Sequence, residues 1–344
     1  MDELTERQKL ILTLVIHEYI RTAAPLGSEH IVNRYRLELS SATVRNEMAT
    51  LTEQGYLRQP HTSAGRVPTE EGYRYFVGRL LQETQLPDDT RRMISHQFYQ
   101  MRYDTEQWMR LAASVLANQS RAASLVTAPH PDEAKIKHIE LISTHGHQVL
   151  MIMVMIGGEI HQRLITLNEP VLQEQLSAIA DRITQILQGK DAIFIQSIRT
   201  QFIGLEQEVV DWVLEDALRS NALMSGEVYM DGLANVLAEP EFTGSDEARR
   251  ALRLLEERSM LQELLSRSMP SNSVDGVHVL IGGEGTWTDL RQCSIVLARY
   301  GTPGLATGTL GVLGPMRMSY GRTISTVRFI ANLLSDMVSE SMVE

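Results

Sequence analysis

Apolar residues recur with the period of an α-helix along the first part of the chain. Thr5 and Gln8 have the spacing of a capping box, so a first helix is predicted to begin there. The helix is expected to end near Thr22, because Pro25 cannot continue it. Its predicted apolar face consists of Leu10, Ile11, Leu14 and Val15.

Two shorter helices are predicted to follow the first. Ser28 is the expected cap of the second helix. Ser40 or Ser41 is the expected cap of the third helix, which should end at Gly55. The second helix is predicted to turn three side chains inward, namely Ile31, Val32 and Tyr35.

The third helix has two contrasting faces. Val44, Met48 and Leu51 follow the i, i+4, i+7 spacing, so we expect them to pack on the first two helices. The other side carries small and hydrogen-bonding residues: Ser41, Ala42, Thr43, Arg45, Asn46 and Ala49. Such a face suits the major groove of DNA, since Asn can bind adenine and Arg can bind guanine through two hydrogen bonds. An ordinary amphipathic surface helix is the alternative.

A hairpin punctuated by proline and glycine is predicted after the third helix. Residues 56–58 suit a first strand, and Val67 begins the return strand. No acidic residue lies between Glu53 and Glu70, so the hairpin is basic. Its candidate DNA contacts are Arg58, His61, Thr62, Ser63 and Arg66. An arginine in this position can enter a narrow minor groove, and hydroxyl groups can bind phosphate. A solvated loop is the alternative.

Three capped helices followed by a basic hairpin are the parts of a winged helix-turn-helix. The order predicts a reading helix over residues 41–54 and a wing that contacts the DNA backbone or the minor groove. A winged helix that binds a protein instead of DNA is a second interpretation.

Beyond residue 79 the pattern predicts an α+β body. Residues 88–121 are expected to form one long helix or two, and a last helix is expected around residues 324–338. The β-rich runs are 139–142, 149–156, 160–167, 277–281, 294–299 and 310–313. Their order favours a single sheet domain that is interrupted in sequence.

The interruption, residues 191–274, is predicted to be mostly helical. It carries a first apolar stripe of Val209, Val210, Trp212, Val213 and Leu218, and a second of Leu252, Leu255, Leu261, Leu264 and Leu265. A small inserted unit has little core of its own, so we expect a second copy of the chain to cover both stripes in a homodimer. Packing within one chain is the alternative.

The charge of the chain is unevenly distributed. The formal net charge of the 344 residues is −11, whereas residues 1–79 contain ten basic and ten acidic residues. An acidic body repels DNA, so we expect DNA contact to be confined to residues 1–79.

Other features exclude several classes of protein. The single cysteine, Cys293, lies in an apolar run and is predicted to be a buried structural thiol. The charged N-terminus and the short apolar run over 149–156 predict a cytoplasmic protein with no membrane partner.

No chemistry typical of an enzyme stands out. The glycine-rich stretches 282–285 and 304–314 do not continue into a phosphate-binding Lys-Ser/Thr. His145, His147 and His161 have no cysteine or closely spaced carboxylate to complete a metal site. No nucleophile elbow is present. We therefore expect no catalytic residue, no metal and no cofactor.

Two distant motifs resemble those of one family. Residues 40–57, SSATVRNEMATLTEQGYL, with QPHTSAGRVPT and EGYRYFV after them, are similar to the N-terminal domain of the heat-inducible transcription repressor HrcA family. Residues 314–320, GPMRMSY, resemble the C-terminal GPxRMxY signature of that family. The resemblance extends over nearly the whole chain.

The resemblance implies a dimeric repressor of chaperone operons. It implies double-stranded DNA as partner, with an inverted-repeat operator called CIRCE, and the chaperonin GroEL as the factor that promotes the active form. It also implies a winged helix at 1–79, a GAF-like domain in two parts at 80–190 and 275–344, and an inserted dimerisation domain at 191–274. A metabolite-sensing regulator, with a small effector in the GAF-like domain, is the alternative function.

Overall fold

The architecture is known from a computed structural model. It describes residues 4–61, 64–82, 84–101, 104–130, 135–156, 158–223, 227–242, 276–282, 291–303 and 306–343. The chain forms two compact units. The first unit draws on Met1–Thr127, Val228–Tyr300 and Thr309–Met337, and the second draws on Ala128–Glu227, Gly301–Gly308 and Val338–Glu344. The molecule is an α+β protein, as the sequence predicts.

Three helices open the first unit: α1 (Glu6–Thr22), α2 (Ser28–Tyr35) and α3 (Ser41–Glu53). The predicted capping box of α1 is confirmed, since Thr5 and the side chain of Gln8 bind each other's backbone N–H groups. Ser40 is the cap of α3 and accepts a hydrogen bond from the backbone of Thr43 at 3.0 Å. The predicted cap of α2 is wrong, because Gly27 occupies that position and Ser28 is the first helical residue.

The faces of these helices follow the sequence pattern in part: Ile31 of α2 is buried, whereas Leu14, Val32 and Tyr35 are half-buried. Val44, Met48 and Leu51 of α3 are buried, as predicted. Along α1 the buried apolar residues are Ile11, Leu12, Val15 and Ile16. Leu10 is 45% exposed, so its predicted place in the core is wrong. The stripe rotates toward Leu12 and Ile16 because α1 packs against α3 and the hairpin together.

A two-stranded antiparallel hairpin follows α3. Its strands are β1 (Leu57–Arg58) and β2 (Val67–Pro68), in register Leu57 to Pro68 and Arg58 to Val67. The backbone of Arg66 also pairs with Leu26, the residue between α1 and α2, through hydrogen bonds of 2.8 and 2.9 Å. A Cβ on Gly65 would lie 2.3 Å from the Leu26 backbone, so only glycine allows this pairing.

The short helix α4 (Glu70–Tyr75) and a π-helical turn at Phe76–Leu80 complete this segment. We call residues 4–80 the N-terminal module. Thr69 caps α4 and also donates to the carbonyl groups of Gly55 and Tyr56. A Cβ on Gly72 would lie 2.2 Å from the Tyr56 carbonyl oxygen, so α4 approaches the hairpin as closely as a backbone can.

The remainder of the first unit is a five-stranded sheet with helices. Residues 88–121 form two helices, α5 (Asp88–Gln100) and α6 (Thr105–Ser120), within the predicted range. The strands of the sheet are β3 (Ala123–Thr127), β7 (Val228–Asp231), β8 (Val277–Ile281), β9 (Cys293–Thr302) and β10 (Ala306–Pro315). They lie in the order β7-β3-β10-β9-β8. The short helix α10 (Leu233–Leu237) follows β7, and α11 (Tyr320–Val343) follows β10.

The core of this sheet explains two features of the sequence. Cys293 is buried, as predicted, and burial raises the pKa of its thiol to about 12, so it stays protonated. Tyr320 of the GPMRMSY motif is also buried, and its hydroxyl is hydrogen bonded to Ser294 and to the carbonyl oxygen of Met316, each at 2.7 Å. The motif therefore joins α11 to the sheet.

The second unit contains a separate three-stranded antiparallel sheet of β4 (Ile136–His145), β5 (Gln148–Met155) and β6 (Ile160–Thr166). Helices α7 (Gln173–Leu187), α8 (Ala192–Ile198) and α9 (Leu205–Leu223) pack with it around one core. The β-rich runs 139–142, 149–156 and 160–167 are confirmed as strands. The expectation of a single sheet is wrong, because within the described residues β4–β6 pair with each other while β8–β10 belong to the five-stranded sheet.

The predicted inserted segment also differs in its packing. Val209, Val210 and Val213 of the first apolar stripe are buried in the core of the second unit, and Trp212 packs against it. Four residues of the first stripe therefore pack within one chain, which is the alternative interpretation, whereas Leu218 is 48% exposed. The second stripe, from Leu252 to Leu265, lies outside the described residues. Among the helices that the structure describes, none is long and apolar enough to cross a membrane.

The close approach of Gly72 to the carbonyl oxygen of Tyr56 allows a test of how α4 packs against the hairpin. Gly72→Ala should lower the free energy of unfolding by about 1–3 kcal/mol, because its Cβ cannot occupy the space of the Tyr56 carbonyl. The measurement is the urea-unfolding midpoint, followed by circular dichroism. Gly78→Ala is the matched control, since a Cβ there meets nothing within 4 Å. Equal midpoints for the two variants would contradict the packing of α4.

Candidate nucleic-acid interface

The exposed face of α3 is where the sequence places DNA contacts. Ser41, Ala42, Arg45 and Asn46 are exposed and follow one another at i, i+1, i+4 and i+5, so they form a single stripe on the first half of the helix. Ala49 is half-buried at the end of this stripe. The structure thus presents four of the predicted contact residues together.

The two side chains best suited to reading bases are uncommitted. Within the described residues, neither the guanidinium of Arg45 nor the amide of Asn46 has a hydrogen-bond partner. Thr43 differs, because its hydroxyl is hydrogen bonded to the Ser40 hydroxyl at 2.9 Å and the residue is half-buried. Arg45 and Asn46 are therefore free to contact a partner, whereas the Thr43 hydroxyl already forms a hydrogen bond with the capping residue Ser40.

The opposite face of α3 holds this stripe in place. Its apolar residues pack against α1 and α2, and an ion pair of 3.4 Å joins Arg7 of α1 to Glu47 of α3. The pair draws Glu47 toward the side of the helix and compensates a carboxylate that would repel phosphate. The sequence does not show this pair, because Arg7 and Glu47 are 40 residues apart and meet only through the packing of α1 on α3.

A buried carboxylate positions α2 on α1. Glu18 of α1 is 1% exposed and binds Arg21 at 2.5 Å, His30 at 2.9 Å and the hydroxyl of Tyr35 at 3.3 Å. Hydrogen bonds from Arg21 and then from His30 outweigh desolvation and lower the pKa of Glu18 to about 2. Sequence reasoning missed this network. Only the i, i+3 spacing of Glu18 and Arg21 is visible in the sequence, whereas His30 and Tyr35 come from the next helix.

The hairpin presents its predicted residues unevenly. His61 is exposed at the tip, where its carbonyl accepts a hydrogen bond from Ala64 at 2.9 Å. Thr62 and Ser63 lie outside the described residues. Arg66 is half-buried, and its Nε has no hydrogen-bond partner among the described atoms. The backbone pairing with Leu26 therefore fixes the base of the Arg66 side chain beside α2.

Arg58 is exposed but lies away from the tip. It lines a cavity that is also lined by Tyr19 of α1 and Glu241. The structure thus presents the α3 stripe and the hairpin tip as exposed parts of the same module, and it places Arg58 at the base of the hairpin.

Comparison with known proteins adds to this geometry. The family model named HrcA protein C terminal domain matches residues 106–324, which is more than half of the chain. A heat-inducible transcription repressor HrcA from Roseiflexus castenholzii is 42% identical, covering 98% of this chain and 95% of the relative. The chain belongs to the HrcA family of heat-inducible transcription repressors.

Further relatives in the HrcA family agree. The Herpetosiphon aurantiacus repressor is 41% identical, covering 98% of this chain and 96% of the relative. The Thermomicrobium roseum repressor is also 41% identical, with the same coverage. These relatives are all named heat-inducible transcription repressors.

A solved structure supports the fold of this HrcA family member. A crystal structure of a hypothetical protein matches with a TM-score of 0.63 and 24% identity, covering 98% of this chain and the whole of that chain. At this identity the likeness concerns the fold alone.

The Glu18 network makes a pH-dependent prediction. The pKa of Glu18 is lowered from 4.5 to about 2 on folding, so its contribution to stability is present above pH 4.5 and is lost as the pH falls toward 2. Glu18→Gln should therefore destabilise the protein at pH 7 by about 1–2 kcal/mol, and this difference should shrink as the pH falls from 4.5 toward 2.

The measurement for Glu18→Gln is urea unfolding at a series of pH values. Glu38→Gln is the control, because Glu38 is exposed and has no ion pair among the described residues. A pH-independent difference between wild type and Glu18→Gln would refute the role of the carboxylate charge.

Proposed function

We propose that the protein is a homodimeric, sequence-specific DNA-binding repressor of heat-shock operons. The N-terminal module is a winged helix-turn-helix, in which α3 is the reading helix and the hairpin is the wing. Two copies bind the two arms of an inverted-repeat operator of the CIRCE type, because a two-fold dimer requires two-fold DNA. The observation that carries the proposal is the exposed α3 stripe with its uncommitted Arg45 and Asn46.

The geometry of α3 supports a major-groove role. Ser41 and Ala42 are small, so the start of the helix can approach base edges closely. Arg45 and Asn46 stand one turn further along the same stripe, where each can make two hydrogen bonds to a base. Motifs of this kind read bases with the N-terminal residues of the recognition helix.

The hairpin supports the wing assignment. His61 is exposed at its tip, and Arg66 is held beside α2 by the pairing with Leu26. We propose that Arg66, with Thr62 and Ser63, contacts the DNA backbone or the minor groove. Arg58 has a different position and receives a different assignment below.

The outer face of the three-stranded sheet supports a homodimer. Ile142, Leu150 and Leu164 stand opposite one another across β4, β5 and β6, and Val154 stands opposite Ile160. Ile160 and Leu164 are 59% and 58% exposed. An antiparallel sheet usually has polar residues on its outer face, so we propose that a second copy covers this one.

The remaining parts of the assignment rest on the resemblance to the family. They are the GAF-like domain in the parts 80–190 and 275–344, the inserted dimerisation domain at 191–274, a cytoplasmic location, and promotion of the active form by GroEL. The packing of α8 and α9 with β4–β6 favours an inserted unit that begins earlier, since the second compact unit starts at Ala128.

Substitutions on α3 and the wing should have different effects. Asn46→Ala should weaken binding to the operator by about 1–3 kcal/mol and relax discrimination at one operator position, because it removes a base contact. Arg66→Ala should weaken binding to all sequences and reduce the slope of log K against log salt by about one, because it removes a phosphate contact.

A salt-titrated gel shift with an inverted-repeat promoter fragment and a scrambled fragment measures both effects. Arg92→Gln is the control for lost charge, since Arg92 is exposed on α5. Wild-type binding by both Asn46→Ala and Arg66→Ala would show that the module is assigned wrongly.

The sheet face gives a separate test of the dimer. Leu164→Lys should shift the protein from dimer to monomer, because it places a charge in a desolvated apolar contact. Analytical ultracentrifugation at micromolar concentration measures the shift. Gln175→Lys is the control, since Gln175 is exposed on α7. A Leu164→Lys variant that remains as dimeric as the control would place the interface elsewhere.

A further inference from the structure

A cavity of about 620 Å³ lies within the first compact unit. Its walls come from α1, the base of the hairpin, α4 and the Met316–Arg317 part of the GPMRMSY motif. The side chains that matter for its chemistry are Tyr19, Arg58, Tyr73, Arg74, Arg291 and Arg317. Its volume is in the range of pockets that hold small molecules, which is about 300–1,000 Å³.

The acidic groups at this cavity are already compensated. Arg74 lies 3.3 Å from Glu70 and 3.4 Å from Glu71. Arg317 forms short ion pairs with Glu239 and Glu241. Each of these carboxylates therefore has a guanidinium partner from within the unit.

Two cationic side chains of the cavity have no ion-pair partner among the described residues. Arg58 and Arg291 both line the cavity, and neither forms an ion pair with a residue that the structure describes. Guanidinium groups bind carboxylate and phosphate groups through two parallel hydrogen bonds. An anion in the cavity would thus find two cations that no carboxylate of a described residue neutralises.

A buried hydroxyl provides an independent observation. Tyr73 is 1% exposed and lines the cavity, and its hydroxyl has no hydrogen-bond partner among the described residues. A buried hydroxyl without a partner destabilises a protein, so its presence calls for an explanation. Burial raises the pKa of Tyr73 well above its ordinary value, so the hydroxyl stays protonated and can donate a hydrogen bond.

We propose that this cavity is a binding site for a small organic anion with a carboxylate or phosphate group. Arg58 and Arg291 bind the anionic oxygens, and Tyr73 donates a hydrogen bond from the wall. The half-buried Tyr19 also lines the cavity and contacts the organic part of the ligand. The site is separate from the α3 stripe.

The consequence for regulation rests on the proposed function. Arg58 belongs to β1 of the hairpin and Tyr73 belongs to α4, whereas Arg291 precedes β9 of the sheet. A ligand that binds all three links the N-terminal module to the sheet, so it changes the affinity for the operator by favouring one seating of the module.

Calorimetry on the full chain without DNA tests the site itself. Titrations with adenosine monophosphate and with citrate, as probes that carry a phosphate and carboxylates, should show saturable binding of at least one probe with one site per chain. Arg291→Gln should weaken that binding about tenfold or more, because it removes a charge-assisted contact. Arg92→Gln should leave it unchanged, since Arg92 lies on α5 and does not line the cavity.

Tyr73→Phe separates binding from folding. The variant should be at least as stable as wild type in the absence of ligand, because it removes a hydroxyl that lacks a partner. It should nevertheless bind the probe more weakly, by about fivefold or more. Thermal unfolding and calorimetry on the same sample measure both properties.

Three outcomes would overturn the proposal. The first is that neither probe binds, and the second is that wild type and Arg291→Gln bind a probe equally well. The third is that a non-operator duplex displaces the bound probe, which would assign the cavity to DNA backbone phosphate. None of these depends on operator recognition, so failure of the proposed function is detected separately. An operator affinity that is unchanged by saturating probe would refute the regulatory link.

Discussion

The seating of α4 is the contact on which the first compact unit depends. Gly72 lies directly beneath the carbonyl of Tyr56, which brings α4 against the base of the hairpin. On its other side, Arg74 donates a hydrogen bond of 3.0 Å to the carbonyl oxygen of Ile281 at the end of β8. The ring of Tyr73 lies 5.9 Å from that of Tyr320. One short helix thus connects the N-terminal module to the five-stranded sheet, and it requires a residue without a side chain to do so.

This joint gives a physical role to both sequence motifs. The N-terminal motif contains the exposed α3 stripe, and it also contains the glycine that lets α4 pack against the hairpin. The C-terminal motif contains Tyr320, which packs beneath α4, and Arg317, which pairs with two glutamates beside the cavity. The two motifs thus meet where α4 packs between the hairpin and the five-stranded sheet.

Local interactions made much of the N-terminal module predictable. The capping box at Thr5, the cap at Ser40 and the buried stripe of α3 depend on residues three or four positions apart, so the sequence shows them directly. The cap of α2 was wrong by one residue because Gly27 adopts the required extended backbone without a side-chain bond. The predicted position of Leu10 was wrong because periodicity gives an apolar face only to within one residue, and α1 contacts two elements at once.

The sequence by itself determined which segments become helices and strands, which residues of α3 face outward, and that the body is acidic. Only the tertiary structure decided that β4–β6 form their own sheet, that Val209, Val210 and Val213 of α9 are buried within one chain, and that Arg58 and Arg291 line the same cavity. The reason is the range of the interactions. Periodicity reports the environment of a residue relative to its own helix or strand, whereas Arg74 and Ile281 are 207 positions apart and meet only through the fold.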